Sequence, residues 1–416
     1  MGREMNRRRF LGAAGIAAGG LAAGGAIATA LDGGTAGADG GDDVVPYYGV
    51  HQAGITTPTQ SRLHIAAFDV LDGASREDVR DLMRRWSAAA ARMSEGRSLG
   101  DGAAEALAPP PDTGEADDLP PSRLTVTIGF GPTLFERDGR DRFGLAARRP
   151  AALRRIEALP GDELDPLRSG GDLCVQACAE VPEVAFHAVR NLARIGRGVV
   201  VMRWSQLGFG RTAKTVDSQQ TPRNLMGFKD GTNNITADEH DALARWVWAG
   251  AEAPAWMRGG TYMVTRRIRM LIEVWDRASL ADQEATIGRH KSSGAPLGRG
   301  DERDKVDLRA RSAAGPVVPA DAHIRLAAPA TNDGVRILRR GYSFTDGFDP
   351  ELGQLDAGLF FIAFQRDAHK QFAVVQRTLG PDALSEYIKH ISSGLFAVAP
   401  GVADARDYVG RALFEG

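Results

Sequence analysis

One order of segments occurs twice in this chain and leaves few folds open to it. Arg62–Val70 (RLHIAAFDV) has the length and apolar, β-branched content of a strand, and Arg76–Met93 then sets Val79, Leu82, Met83 and Trp86 at helical spacing. Leu124–Phe130 (LTVTIGF) alternates as a strand does, Cys174–Ala177 lies in another apolar run, Glu183–Ile195 reads as a helix and Val199–Leu207 as a strand. Strand, helix, strand, strand, helix, strand is the split βαβ or ferredoxin-like unit. The second half repeats that order with a long strand over Gly260–Trp275, a short helix over Leu280–Ile287 and a strand over Gly358–Gln365. Helices follow over 369–379 and 382–391, then a last strand at Gly394–Val398. The expected fold is α+β: two ferredoxin-like βαββαβ units, their antiparallel sheets joined as in a dimeric α/β barrel, with peripheral helices. The repeat is one of element order, not of residue identity.

Composition narrows the setting. The chain has 416 residues, 43% of them hydrophobic, enough to bury a large core. A formal charge of −2, with no Lys/Arg block beyond the first ten residues, argues against a nucleic-acid-binding surface. Those first residues read Arg7-Arg8-Arg9-Phe10-Leu11, before an Ala/Gly-rich apolar run that ends in Ala28-Thr29-Ala30. This is the pattern of a twin-arginine export signal with a small-residue cleavage site; its glycines leave it weakly hydrophobic for a membrane anchor. The expected organisation is a signal peptide over 1–30, a polar linker over 31–45, a first half over 46–220 and a second over 221–416. The protein is expected to cross the membrane already folded and to work outside the cell or in its envelope. Four residues along a strand separate Cys174 from Cys178 by ~13 Å, too far for a disulfide, so both are expected to be buried structural thiols.

Three residues carry the chemistry. Asp230 stands in Gly227-Phe-Lys-Asp-Gly-Thr-Asn-Asn234, where Gly227 and Gly231 are expected to let the backbone approach a flat ligand. His323 lies in Asp-Ala-His-Ile-Arg-Leu and Arg339 in Ile-Leu-Arg-Arg-Gly-Tyr-Ser-Phe, both within an irregular stretch over 288–340. A loop that long inside a compact domain is usually functional. Among the eight histidines, no HExxH or HxH spacing points to zinc or non-haem iron. A porphyrin, which brings four nitrogens of its own, needs a single axial imidazole. Taken alone, His323 is as readily a core histidine.

Longer stretches add a resemblance. Tyr48-Gly-Val-His-Gln-Ala-Gly-Ile55, Asp172-Leu-Cys-Val-Gln-Ala-Cys178, Gly227-Phe-Lys-Asp-Gly231, Gly288-Arg-His-Lys291, His323-Ile-Arg-Leu326, Arg339-Arg-Gly-Tyr342 and Gly394-Leu-Phe-Ala397 follow one another in order. In these the chain resembles the dye-decolourising haem peroxidases of the exported twin-arginine class, also described as deferrochelatase/peroxidases. The resemblance spans nearly the whole chain after the leader, and it implies haem b (iron protoporphyrin IX) as cofactor. It implies His323 as the proximal iron ligand, Asp230 as the distal acid–base and Arg339, rather than Arg340, as the distal charge stabiliser. The implied reaction reduces hydrogen peroxide and oxidises phenolic or dye-like small-molecule donors through a ferryl state. Its rivals are release of iron from haem and haem carriage without turnover.

The resemblance and the needs of a haem imply further roles. Glu386 is expected to accept the second ring proton of His323, with Asp382 as a helix cap. Asn233, Asn234, Arg289, Lys291 and Arg325 are expected to meet the haem propionates, and Leu359 and Phe361 to wall the distal pocket. Trp246, Trp248 and Trp256 are the electron-relay choices. A carboxylate base implies an acidic activity optimum. The twin-arginine export machinery is an implied partner, and a homo-oligomer is left open.

Overall fold

The computed structural model describes residues 43–100 and 106–415. The expected export leader and most of the expected linker lie outside the described residues. The first unit runs β1 (Arg62–Val70), α1 (Arg76–Ser94), β2 (Thr125–Phe130), β3 (Leu173–Ala179), α2 (Pro182–Ile195) and β4 (Val200–Arg211). Its strands lie in the order β4-β1-β3-β2, all antiparallel. The second unit runs β5 (Thr261–Met270), α3 (Leu280–Ile287), β6 (Tyr342–Asp349), β7 (Gln354–Gln365), α4 (Phe372–Thr378) and β8 (Gly394–Val398), with strand order β8-β5-β7-β6. Fourth, first, third, second is the order in both. The sheets meet twice, where Ala397 of β8 pairs with Phe130 of β2 and where Phe209 of β4 pairs with Ser343 of β6. These joints close an eight-stranded ring, so the expected pair of ferredoxin-like sheets is present.

Local signals account for the elements. Ser75 and Asp78 form a reciprocal capping box at the start of α1, which buries Val79, Leu82, Met83 and Trp86. Pro182 opens α2, where a missing N–H costs nothing. Ile65, Cys174, Cys178, Phe344, Phe360 and Phe364 fill the space between the sheets, and both cysteines are free buried thiols.

Three segments differ from the sequence reading. The strand expected over Gly260–Trp275 ends at Met270, and Ile272–Trp275 is a helical turn. There the apolar residues stop alternating, and Trp275 turns inward to donate to the Met226 carbonyl at 3.1 Å. The helix expected over 382–391 is a 3-10 turn, Ala383–Glu386, followed by a short strand, Ile388–His390, which pairs with β5 beyond the end of β8. Strand β6 was not anticipated. Its sequence, YSFTDGFD, contains Asp-Gly and reads locally as a turn.

Two histidines are buried without charge. His64 is 6% exposed and His390 likewise, and burial pulls each down to about 4. The unfolded chain binds these protons near the usual ~6.5. As pH falls from 6.5 towards 4, the unfolded state therefore gains protons that the native state refuses, each group removing up to about 3 kcal/mol. The urea midpoint should drop across this window, and should drop less in His64→Gln; an equal fall in both proteins would exonerate His64.

Candidate functional site

A cleft of about 1750 Å³, its open mouth included, lies on the outer face of the second sheet. Strand alternation builds its floor, with Arg266, Ile268 and Met270 from β5 beside Leu359 and Phe361 from β7. The remaining lining comes from residues 224–233 around Asp230, Ile287 at the end of α3, the 288–340 stretch and residues 372–390.

His323 begins a single helical turn, His323–Leu326. Its Nδ1 lies 2.6 Å from Oδ2 of Asp382, whose side chain is 4% exposed. The other oxygen of Asp382 accepts the Leu384 N–H at 2.9 Å and caps the 3-10 turn. One carboxylate therefore holds both the imidazole and the turn, and the expectation for Glu386 is corrected. Glu386 sits at the far end of that turn, exposed and outside the cleft lining. In a neutral ring the acceptor-only carboxylate keeps the proton on Nδ1 and the lone pair on Nε2. Burial opposes a charged imidazole, but the charge and hydrogen bond of Asp382, with the charge of Asp230, outweigh it and raise the His323 pKa.

The Asp230 turn depends on its glycines for its backbone conformation. Gly227 and Gly231 have φ of 84° and 94°, which side chains rarely adopt. A Cβ at Gly231 would stand 2.8 Å from the Ala213 Cα, and one at Gly227 would stand 2.8 Å from the Lys291 Cε. The left-handed backbone demands glycine at both positions, and at Gly231 the neighbouring backbone of Ala213 leaves no room for a side chain. Oδ1 of Asp230 accepts from Nη1 of Arg339 at 2.6 Å, and Asn224 Nδ2 stands 3.4 Å from Oδ2. Arg339 pairs with Ala363 of β7 through the short strand Leu338–Arg339. Arg340 turns to the other side, fully buried, and donates to the Thr57 carbonyl and the Gln60 side chain. Strand alternation thus decides which of the two arginines enters the cleft.

The residues expected to meet propionates separate into two groups. Asn233 and Arg289 line the cleft. Arg289 donates to the carbonyls of Gly294 (2.6 Å) and Glu302 (3.1 Å); burial pulls its pKa down, while Glu302 opposes that. Asn234, Arg325 and Lys291 are spent elsewhere. Asn234 accepts the Arg339 N–H at 2.7 Å and donates to the Arg339 and Lys214 carbonyls, both at 2.8 Å. Arg325 donates to the carbonyls of Leu308, Val318 and Pro319, and Lys291 to Oε1 of Gln283 at 2.6 Å. Leu359 and Phe361 line the cleft as expected, and none of Trp246, Trp248 and Trp256 does. Sequence reasoning missed Arg336, which lines the cleft and pairs with Glu239 at 2.7 Å; the basic run from 336 to 340 was its one signal.

Among the described residues no group of three or more His, Cys, Asp or Glu side chains is arranged to hold a metal ion. A single imidazole braced from behind in a large, mostly apolar cleft fits an iron that brings its own macrocycle.

Comparison with known proteins agrees. The model for the Dyp-type peroxidase N-terminal region matches residues 52–210, and that for the C-terminal region matches 221–403. The Deferrochelatase of Escherichia coli (strain K12) is 38% identical over 418 aligned residues, covering 99% of this chain and 97% of that protein. The Deferrochelatase of Yersinia pseudotuberculosis is 40% identical over 377, covering 89% and 85%. Among solved structures, a DyP-type peroxidase from Streptomyces coelicolor superposes with TM-score 0.82 at 44% identity, covering 90% of this chain and 97% of that one. Ferric DtpA from Streptomyces lividans gives 0.81 at 43%, with the same coverage. The chain belongs to the Dyp-type peroxidase family, enzymes whose cofactor is haem.

Proposed function

We propose that this enzyme reduces hydrogen peroxide at a haem held by His323 and oxidises phenolic or dye-like donors, with Asp230 as acid–base and Arg339 as charge stabiliser. The observation that carries this reading is the Asp230–Arg339 pair, 2.6 Å apart in the cleft that also receives His323. Bound haem supplies the redox-active iron at which peroxide is cleaved. Asp230 takes the proton from one peroxide oxygen and returns it to the other, which leaves as water. Arg339 remains charged throughout and offsets negative charge as the O–O bond lengthens. Asp382 draws on the Nδ1–H of His323 and makes Nε2 a stronger donor. Arg289 and Asn233 offer cationic and amide partners for the propionates, while Ile268, Leu359 and Phe361 keep water away from the reacting oxygens.

The Deferrochelatase relatives support a second reading, release of iron from haem. Free protoporphyrin formed without added peroxide would favour it over donor oxidation. We place the protein outside the cytoplasm, delivered folded by the twin-arginine machinery. Replacing Arg7, Arg8 and Arg9 with Lys should leave folded, haem-loaded enzyme inside the cell; unchanged export removes that assignment.

Asp230→Asn should bind haem normally yet react with peroxide about 10²- to 10⁴-fold more slowly. Arg339→Leu should lose about 10²- to 10³-fold, read as the rate of the peroxide-induced absorption change. The native profile should peak in acid, and a flat one would remove Asp230 as the essential base. On the other side of the site, Asp382→Asn should cost about 10- to 100-fold in haem affinity or activity. Glu386→Gln should match the parent; the reverse ranking would restore Glu386 as the imidazole's partner.

A further inference from the structure

The turn that carries Asp230 is held by a single carboxylate from the 288–340 stretch. Oε2 of Glu302 accepts from Nζ of Lys229, and Oε1 accepts from Oγ1 of Thr232 at 3.0 Å. These donors stand one residue before Asp230 and two residues after it. The backbone carbonyl of Glu302 accepts from Arg289, itself in the cleft lining, at 3.1 Å. Glu302 does not line the cleft, and only 16% of its side chain is accessible, so this bridge is no solvated surface pair.

The surroundings leave the bridge little room to shift. A Cβ at Gly294 would stand 2.6 Å from Cδ of Lys229, so the lysine stem lies close against the chain at that glycine. Arg223 donates to the Gly227 carbonyl at 2.8 Å, fixing the start of the turn, and to the Lys291 carbonyl at 2.6 Å. Burial disfavours the Glu302 carboxylate, but hydrogen bonds from Lys229, Thr221 and Thr232 more than compensate and lower its pKa. It is therefore harder to protonate than an ordinary glutamate.

We infer that Glu302 is a positioning residue for proton transfer by Asp230: by gripping Lys229 and Thr232 with its two oxygens, it fixes the backbone from which Asp230 reaches peroxide and Arg339. The inference rests on the reading that Asp230 moves the peroxide proton. A displacement of about 1 Å at a reacting group can cost about 100-fold in rate. The two-point grip is the feature that resists such a displacement.

The test uses the full haem-loaded enzyme and the second-order rate of its absorption change with hydrogen peroxide. Glu302→Ala should react about 10- to 100-fold more slowly, with haem content and the KM for the donor unchanged. Glu302→Gln keeps the acceptor for Thr232 but loses the charge facing Lys229, and should fall between Glu302→Ala and the parent. In an Asp230→Asn background, Glu302→Ala should cost nothing further. The same loss in both backgrounds, or a parental rate for Glu302→Ala while Asp230→Asn is slow, overturns the inference. A parental rate for Asp230→Asn overturns the underlying reading of Asp230 and identifies that as the fault. If Glu302→Ala fails to load haem, Thr232→Val cuts one arm alone. It should lose activity in the parent and none in the Asp230→Asn background, and equal losses would again refute the idea.

Discussion

The register between β5 and β7 is the constraint on which the site depends. Gly358 lies opposite Arg269, Leu359 opposite Ile268 and Phe361 opposite Arg266. This pairing turns Arg266, Ile268, Leu359 and Phe361 towards the cleft, and Phe360 and Ile362 towards the core between the sheets. A slip of one residue would reverse every one of them. Gly358 guards against it sterically, since a Cβ there would lie 2.0 Å from the Ile268 carbonyl oxygen. The same alternation separates the adjacent arginines of β5. Arg266 lies beneath the cleft and pairs with Asp162 at 2.7 Å, while Arg267 turns away to Asp346, Asp356 and Gln206.

The Arg266–Asp162 pair also joins the two halves of the chain, because Asp162 comes from the first and Arg266 from the second. Such a buried pair adds little net stability, its Coulomb gain being opposed by the loss of hydration. What it fixes is position. The backbone follows the same course, with the N–H groups of Glu163 and Asp165 donating to the carbonyls of His390 and Ile391, both at 2.9 Å. The segment that carries Asp382 is thereby tied to the first half on one side. On the other, the Ala383 N–H donates to the Asp321 carbonyl at 3.1 Å, two residues before His323.

How far the sequence could be read depended on the range of the forces involved. The periodic elements were legible because amphipathic spacing and capping are local, as the Ser75–Asp78 box and the Pro182 start illustrate. Strand β6 was not, because Asp-Gly is a turn signal until tertiary pairing overrides it. Asp230, His323 and Arg339 were legible as residue types in distinctive contexts, and the fold brings them to one cleft. Choosing Glu386 over Asp382 erred because a cap and a histidine partner were treated as alternatives, whereas a carboxylate has two oxygens and Asp382 uses both.

The same distance dependence explains why Asn234 and Arg325, with the right chemistry for a carboxylate ligand, are bonded to backbone carbonyls. A stretch as long and irregular as 288–340 has few ladder partners for its backbone, and its buried carbonyls must find donors elsewhere. Arg325 meets those of Leu308, Val318 and Pro319, Asn332 those of Leu326 and Ala328, and Arg223 those of Lys291 and Ser292. Long polar side chains near such a segment are consumed in holding it. The Asp230–Arg339 and His323–Asp382 pairs differ, since each joins side chain to side chain at the edge of a space large enough for a ligand. A polar group bonded to backbone fixes the chain's path, whereas one bonded to another titratable side chain can exchange a proton or share a charge.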